Sequence, residues 1–139
     1  MATRLNPYLS FRDNARQAMD FYHAAFGGEL SRSTFADLHA SDDPAEGEKI
    51  MHSMLETPNG LTLMCADTPN GMAYNPGDNI SVSLSGDDEA ELCGYWDKLT
   101  EGATIAEPLE KAPWGDTFGM FTDKFGINWL VNIAGQPQQ

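Results

Sequence analysis

Cysteine, basic residues and long apolar runs are scarce in this chain. The two cysteines, Cys65 and Cys93, have no CxxC spacing, which fits a reducing compartment better than a disulfide scaffold or a structural zinc site. Lys and Arg number 8 against 21 Asp and Glu, so the formal net charge is -13, which repels phosphate backbones and anionic membranes. No apolar run approaches a membrane span, and the N-terminus lacks the pattern of a signal peptide. We therefore expect a cytoplasmic protein without nucleic-acid or membrane partners.

Several catalytic motifs are also missing. The chain contains no GxSxG motif, no phosphate-binding loop and no glycine-rich nucleotide turn. What is present is an ordinary globular composition, with 41% hydrophobic and 21% charged residues among 139. A chain of this length buries roughly two thirds of its unfolded surface, so one domain can form without a disulfide or a metal.

The acidic residues concentrate in two segments, DDPAEGE (42–48) and DDEAE (87–91). We interpret the first as part of a solvated loop and the second as the acidic first turn of a helix. Attraction of a cationic ligand is the alternative interpretation.

The first half of the chain predicts a strand, a helix and three more strands. The opening strand is YLSF, and the helix NARQAMDFYHAAF follows it, with Asp13 as its cap and Gly27-Gly28 as its stop. The later strands are ELSRSTFADL, KIMHSMLE and LTLMCAD. HASDDPAEGE predicts an exposed loop between the first two of these, and Pro58-Asn59-Gly60 predicts the turn between the last two.

The same order of elements returns after TPNGMAYNPGDN, which has the composition of a linker. A strand ISVSLS, a cap at Asp87 and a helix ending at Gly102 precede the strands ATIAEPLE, DTFGMFT and INWLVNI. Asp13 and Asp87 are 74 apart (87 minus 13), and Gly60 and Gly126 are 66 apart (126 minus 60), as in a weak repeat. The prediction is an α+β domain of two βαβββ modules, about 1–70 and 76–139. Their curved mixed sheets would enclose a cavity, with the helices outside.

A duplicated unit with these motifs resembles the vicinal oxygen chelate superfamily and, within it, the PhnB-like branch. The motifs are NPYLSF, FY followed by FGGEL, MHSML, LMCAD and WGDTFGMFTDKFGINWLVN. The resemblance implies a homodimer with two modules per chain and a cavity that binds a small organic molecule. Many glyoxalase and dioxygenase relatives hold a divalent metal there with His and Glu, whereas bleomycin-binding relatives hold none and sequester a drug. Some relatives carry a methyltransferase name, which the missing glycine-rich turn does not support.

The positions that hold metal in such relatives carry poor ligands in this chain. The resemblance places them at Pro7 and Met64 in the first module and at Asn79 and Leu130 in the second. A divalent ion needs four or more donor atoms, some of them deprotonated, so we predict a cavity without metal or other cofactor. The alternative is a metal-dependent enzyme that uses unorthodox ligands such as His52 and Cys65.

Strand alternation predicts which side chains line the cavity. The last strand would direct Asn128, Leu130 and Asn132 inward and Ile127, Trp129 and Val131 towards a helix. The fifth would direct Asn79, Ser81 and Ser83 inward and Ile80, Val82 and Leu84 towards a helix, and the fourth would add Thr62, Met64 and Ala66 to the cavity. Trp114-Gly115-Asp116 would form its rim. Such a lining suits a neutral, partly apolar organic ligand.

His52 is the candidate catalytic residue. It lies in MHSML, where alternation groups it with Ile50 and Met54, and apolar residues on both sides of the strand predict that the imidazole is at least half-buried. One interpretation is a hydrogen-bonded core histidine, and the other is a cavity-facing general base or ligand contact. Cys65 fits an inert core thiol, and Asp67 a turn cap. Three functions stay open: metal-free binding or catalysis, metal-dependent catalysis, and sequestration of a cationic drug.

Overall fold

The computed structural model describes residues 3–39 and 44–135, which form eight strands and three helices. The chain divides into two compact units, Met1–Pro76 and Gly77–Gln139. The first unit contains β1 (Tyr8–Phe11), α1 (Ala15–Phe26), β2 (Glu29–Thr34), α2 (Pro44–Gly47), β3 (Ile50–Glu56) and β4 (Thr62–Asp67). The second contains β5 (Val82–Gly86), α3 (Glu89–Leu99), β6 (Thr104–Lys111), β7 (Thr117–Thr122) and β8 (Asn128–Ile133).

The first unit is a four-stranded mixed sheet with one long helix on one side. Its strand order is β1-β4-β3-β2, with β1 parallel to β4 and the other pairs antiparallel. Helix α1 contacts β3 and β4, and its apolar stripe is buried: Ala15, Ala18, Met19, Tyr22 and Ala25. The opposing sheet residues Phe11, Leu55 and Cys65 are nearly inaccessible. The core of this unit therefore lies between α1 and the sheet.

The second unit repeats this topology, with strand order β5-β8-β7-β6 and α3 against β5 and β8. Its core is aromatic. The Trp96 ring meets the Phe121 ring edge-on at 5.1 Å between centroids, and Phe121 stacks on Trp129 at 6.4 Å. A Cβ at Gly119 would lie 2.6 Å from the Trp96 ring, so this strand position requires glycine for close packing.

The internal repeat predicted from the sequence is present in the structure. The first residues of β1 and β5 differ by 74 (82 minus 8), and those of β4 and β8 differ by 66 (128 minus 62). In equivalent turns, Leu61 N donates to Thr57 Oγ1 and Ile127 N donates to Asp123 Oδ1, both at 3.0 Å. The α+β fold of two βαβββ modules is thus confirmed. The single-domain description and the enclosed cavity stay predictions.

Both predicted helix caps are wrong by one residue. The N-cap of α3 is Asp88, whose side chain accepts from Glu91 N, rather than Asp87. The N-cap of α1 is Asn14, which makes no side-chain cap bond. Instead, the helix N-terminus is capped by Asp67 from the end of β4, whose Oδ1 accepts from Ala15 N at 2.9 Å. The other oxygen of this buried carboxylate accepts from Ile50 N, so Asp67 links the start of α1 to the start of β3 and takes the place of a local cap.

The segment between β2 and β3 departs from the predicted exposed loop. Residues 40–43 lie outside the described residues, but Pro44–Gly47 forms a helical turn in which Glu46 is buried. A buried carboxylate needs a partner, and Lys49 Nζ lies 3.3 Å from it. β2 also ends earlier than predicted, at Thr34, because Thr34 and Asp37 exchange two side-chain to backbone hydrogen bonds that turn the chain.

Candidate functional site

Each sheet has a side covered by a helix and an open side. In the first unit, Met54 pairs with Met64 on β4, and Met64 pairs with Tyr8 on β1, so these three side chains share one side. Cys65 and Ser53 form the neighbouring pair on the opposite, helix-covered side and are fully buried. The open side carries half-buried side chains: His52, Met54, Thr62, Met64 and Ala66. Alternation had grouped the last three together on β4, and His52 with Met54 on β3.

A β-bulge on β3 changes the side of the sheet on which Ile50 lies, a residue that alternation had grouped with His52 and Met54. Ser33 pairs with His52 but Thr34 pairs with Ile50, so two residues of β3 oppose one of β2 at this point. The bulge reverses the alternation, and Ile50 is 1% exposed in the core instead of sharing the open side with His52. Met51, which unbroken alternation would place with the buried Ser53 and Leu55, is 38% exposed.

His52 is half-buried, and its ring lies beside the ring of Tyr8, with centroids 6.1 Å apart and planes tilted by 33°. The expected burial is confirmed, while the catalytic role stays a prediction.

Burial, and to a smaller extent the nearby Cys65, raises the pKa of Tyr8, so its phenol stays protonated and can donate a hydrogen bond at neutral pH. Tyr8 is about half exposed and was not singled out from the sequence. Extending the alternation of β4 to β1 would have found it.

The family's metal positions do not fit a divalent ion here. In the first unit, Met64 N donates to Pro7 O at 3.1 Å, so the two positions are adjacent, yet they offer only a thioether and no charged donor. In the second unit, the offset of 74 makes Ser81 rather than Asn79 the counterpart of Pro7 (7 plus 74). Across residues 3–39 and 44–135, His, Cys, Asp and Glu form no group of three or more that could hold a metal.

The alternative ligand pair His52 and Cys65 is contradicted by the sheet register. Cys65 pairs with Ser53 on the helix-covered side, and His52, one residue before Ser53, lies on the open side. Two side chains on opposite sides of one sheet cannot chelate the same ion.

The open side of the second sheet carries half-buried residues that alternate with the core. Asn128, Leu130 and Asn132 are half-buried, while Trp129 and Val131 between them are buried, as alternation predicted. Ile127, which was predicted to face the helix, precedes the strand and is only half-buried. Register adds Phe118 opposite Asn132 and Met120 opposite Leu130, two residues the sequence prediction missed. Alternation along DTFGMFT carried that signal.

The fifth strand begins later than predicted, which changes the place of two candidate residues. β5 starts at Val82, so Asn79 and Ser81 precede it and are exposed. Ile80, predicted to cover the helix, is 78% exposed. The amide of Asn128 holds the chain here, because its Nδ2 donates to Asp78 O at 3.3 Å and its Oδ1 accepts from Thr122 Oγ1 at 2.7 Å.

Trp114 lies at the tip of the β6–β7 hairpin and is 64% exposed. Its ring meets the ring of Phe118 edge-on, with centroids 5.9 Å apart. Because Phe118 lies on the open side, Trp114 extends the apolar surface of that side beyond the strands. Trp129 is buried in the core, as predicted, while the role of Trp114 at a cavity rim stays a prediction.

Two carboxylates lie beside this aromatic surface. Glu110 is opposite Phe118 and Glu107 is opposite Met120, so register places both on the open side, along the edge strand β6. Both are exposed. The surface is therefore apolar and aromatic at its centre and negative at one edge.

The strand order and the repeated order of elements define an α+β protein with two βαβββ modules. The chain matches the model of the Glyoxalase/Bleomycin resistance protein/Dioxygenase superfamily over residues 4–131, and it belongs to that superfamily. Among the described residues, no helix is long and apolar enough to cross a membrane.

Relatives and solved structures agree with this assignment. Protein YjdN of Escherichia coli is 28% identical over 143 residues, covering 95% of this chain and 96% of its own length. The crystal structure of protein PA1353 from Pseudomonas aeruginosa has a TM-score of 0.81 and 34% identity, covering 97% of this chain and 100% of that one. The PhnB protein from Bacillus cereus, which bears a 3-demethylubiquinone-9 3-methyltransferase name, has a TM-score of 0.72 and 25% identity, covering 95% and 100%.

Proposed function

We propose that this protein is a PhnB-like protein that binds a small organic molecule without a metal, on the open sides of its two sheets. The observation that carries the proposal is the half-buried apolar side chains on both open sides, methionine on the first sheet and Met, Leu and Phe on the second, beside neutral polar groups. Apolar surface with a few placed polar groups is the usual lining of small-molecule sites. The poor donor set at Pro7, Met64 and Leu130 supports the absence of metal from the proposal.

Self-association into a homodimer and a cytoplasmic location complete the proposal. The resemblance to the superfamily supports the dimer, and the acidic, cysteine-poor composition supports the location. Sedimentation equilibrium tests the dimer, for which we expect about twice the chain mass of 15.2 kDa. A single species at the chain mass would refute it.

Binding is tested with three fluorescent dyes of different charge: neutral Nile red, cationic acridine orange and anionic anilinonaphthalene sulfonate. We expect at least one dye to bind the native protein, and Met64→Gln and Leu130→Gln to weaken that binding about tenfold, because each variant replaces buried apolar contact with an amide. Lys98→Gln on the exposed face of α3 is the matched control and should bind as the native protein does. Equal binding by all four proteins would refute the proposed surface.

The metal-dependent alternative is separated by a thermal-shift titration of chelator-treated protein with Zn²⁺, Ni²⁺, Mn²⁺ and Fe²⁺. We expect no stabilisation at equimolar metal, because Pro7, Met64 and Leu130 offer poor donors. A metal that did bind the native state would be detected, since it would raise the stability in proportion to ln(1 + [L]/Kd). A rise of several degrees with one ion would overturn the metal-free proposal.

Sequestration of a cationic drug is the second candidate, favoured by Glu107 and Glu110 beside the aromatic surface and by the net charge of -13. An exposed Trp ring also attracts organic cations through its π face. In that case acridine orange binds more tightly than Nile red. Glu107→Gln and Glu110→Gln each lower the affinity for acridine orange and leave the affinity for Nile red unchanged. If the two variants leave the affinity for acridine orange unchanged, this candidate fails.

A further inference from the structure

The tip of the β6–β7 hairpin, residues 112–116, is held to the end of β8 by one carboxylate. Asp116 Oδ2 accepts from Asn132 Nδ2 at 3.1 Å, and Asp116 Oδ1 accepts from Gly135 N at 2.8 Å. These two bonds lower the pKa of Asp116, the backbone N–H more than the amide, so the carboxylate is ionised at neutral pH. Bonds to a charged acceptor are stronger than neutral ones.

Backbone geometry makes the same tip compact. Ala112 N donates to Asp116 O at 2.7 Å, and Gly115 N donates to Ala112 O at 3.0 Å. Gly115 has φ of 103°, which an L side chain rarely adopts, and a Cβ at Gly135 would lie 2.3 Å from Gly115 O. The hairpin tip and the chain after β8 therefore touch backbone to backbone, with Asp116 between them.

Trp114 lies within this tip, two residues before Asp116. Its ring is 64% exposed and meets the edge of the Phe118 ring. Exposed side chains commonly change rotamer on the picosecond to nanosecond timescale, so the order of this ring depends on its neighbours and on the backbone that carries it. The backbone that carries the ring is fixed by the Asp116 bonds. An ordered aromatic ring costs a ligand less conformational entropy on binding than a mobile one.

We propose that Asp116 is a positioning residue that, through Asn132 and the Gly135 N–H, holds Trp114 as a preorganised aromatic wall for a planar organic ligand. The inference rests on the proposed binding of a small organic molecule at the open side. It also gives Asn132 a different task from the one predicted. Its Nδ2 is used by Asp116, so Asn132 orients the tip instead of contacting the ligand through that atom.

The ordering is tested without any ligand by NMR of the indole N–H groups in ¹⁵N-labelled protein. The signal of Trp114 is assigned by its loss in Trp114→Phe, and its ¹H–¹⁵N heteronuclear NOE reports nanosecond motion. We expect Asp116→Asn to lower that NOE, because neutral bonds replace two bonds to a charged acceptor and the Asn132 amide must turn to offer its oxygen. The double variant Asp116→Asn with Asn132→Asp exchanges donor and acceptor and should restore it. Asp97→Asn on α3 removes one carboxylate elsewhere and should change nothing.

The binding consequence is tested on the same variants with the three dyes named above: acridine orange, Nile red and anilinonaphthalene sulfonate. We expect Asp116→Asn to lower the affinity for the dye that binds by about two- to tenfold, and the double variant to recover most of that affinity. Trp114→Ala should lower the affinity more than Asp116→Asn does. An unchanged NOE or an unchanged dye affinity in Asp116→Asn overturns the positioning role. If none of the three dyes binds the native protein, the proposed function fails and this role fails with it. That result is distinct from a dye that binds the native protein and Asp116→Asn equally.

Discussion

Asp123 provides the sharpest test of how the second unit is held together. Its carboxylate is 4% exposed and accepts three N–H donors: Oδ1 from Phe125 N at 2.8 Å and Ile127 N at 3.0 Å, and Oδ2 from Trp129 Nε1 at 2.8 Å. The first two bonds close the β7–β8 turn, and the third satisfies a buried indole. One side chain thus links a local turn to the aromatic core.

The cost of removing this carboxylate follows from which donors water can reach. The two backbone donors are only partly buried, and losing their acceptor should cost about 0.5–2 kcal/mol, as for a helix cap. The Trp129 indole is buried, and leaving its N–H without an acceptor should cost about 1–3 kcal/mol. We therefore expect Asp123→Ala to lower the free energy of unfolding by about 1.5–5 kcal/mol. Asp123→Asn, which can keep the turn acceptor, should lower it by about 1–3 kcal/mol.

The assay is urea unfolding followed by far-UV circular dichroism, with Asp97→Asn as the control for loss of one charge. A double-mutant cycle with Trp129→Phe isolates the indole bond, because phenylalanine has no N–H to satisfy. In the Phe background the cost of Asp123→Asn should fall to about 1 kcal/mol or less. A cost equal in both backgrounds, or one no larger than that of Asp97→Asn, would refute the role of the buried indole bond.

Three further outcomes follow from single contacts. Asp67→Ala removes the buried acceptor of two backbone N–H groups, and urea unfolding should show a loss of about 2–4 kcal/mol. Gly119→Ala places a Cβ against Trp96 and should destabilise by about 1–3 kcal/mol, whereas Gly94→Ala in the open on α3 should stabilise by about 0.5–1 kcal/mol. The lowered pKa of Asp116 means that its bonds persist above the ordinary Asp value of 3.8 and are lost as pH falls through the lower folded value, so the indole NOE of Trp114 should drop only below that pH.

The elements of this fold could be predicted from sequence because each carries a strong period. Helix α1 has its apolar residues at helical spacing, and β8 alternates buried and half-buried residues along its whole length. The ends were less predictable. The caps of both helices lie next to other Asp or Asn residues that look equally suitable, and the choice between Asp87 and Asp88 depends on a single hydrogen bond.

The candidate site shows the same division. Alternation placed Met64, Leu130, Asn128 and Asn132 on the side of their strands away from the helix, and half-buried residues alternate with buried ones along β4 and β8. That these side chains line a ligand cavity stays a prediction. Alternation failed at Ile50, because a bulge adds one residue to β3 between Ile50 and His52, so these two side chains lie on opposite sides of the sheet. A bulge depends on the pairing of two strands, so the sequence of one strand does not reveal it.

By itself the sequence determined the two βαβββ repeats, their offsets of 74 and 66, and the apolar stripes that bury α1 and α3 against their sheets. These features arise from residues close together in the chain, whose periodicity is visible in one dimension. Tertiary structure alone decided that Asp67 caps a helix 52 residues earlier, that His52 and Cys65 lie on opposite sides of a sheet, and that Asp116 is bound to Asn132 and Gly135. Each depends on hydrogen bonding between segments that only folding brings together, and no local pattern encodes which distant partner will be within reach.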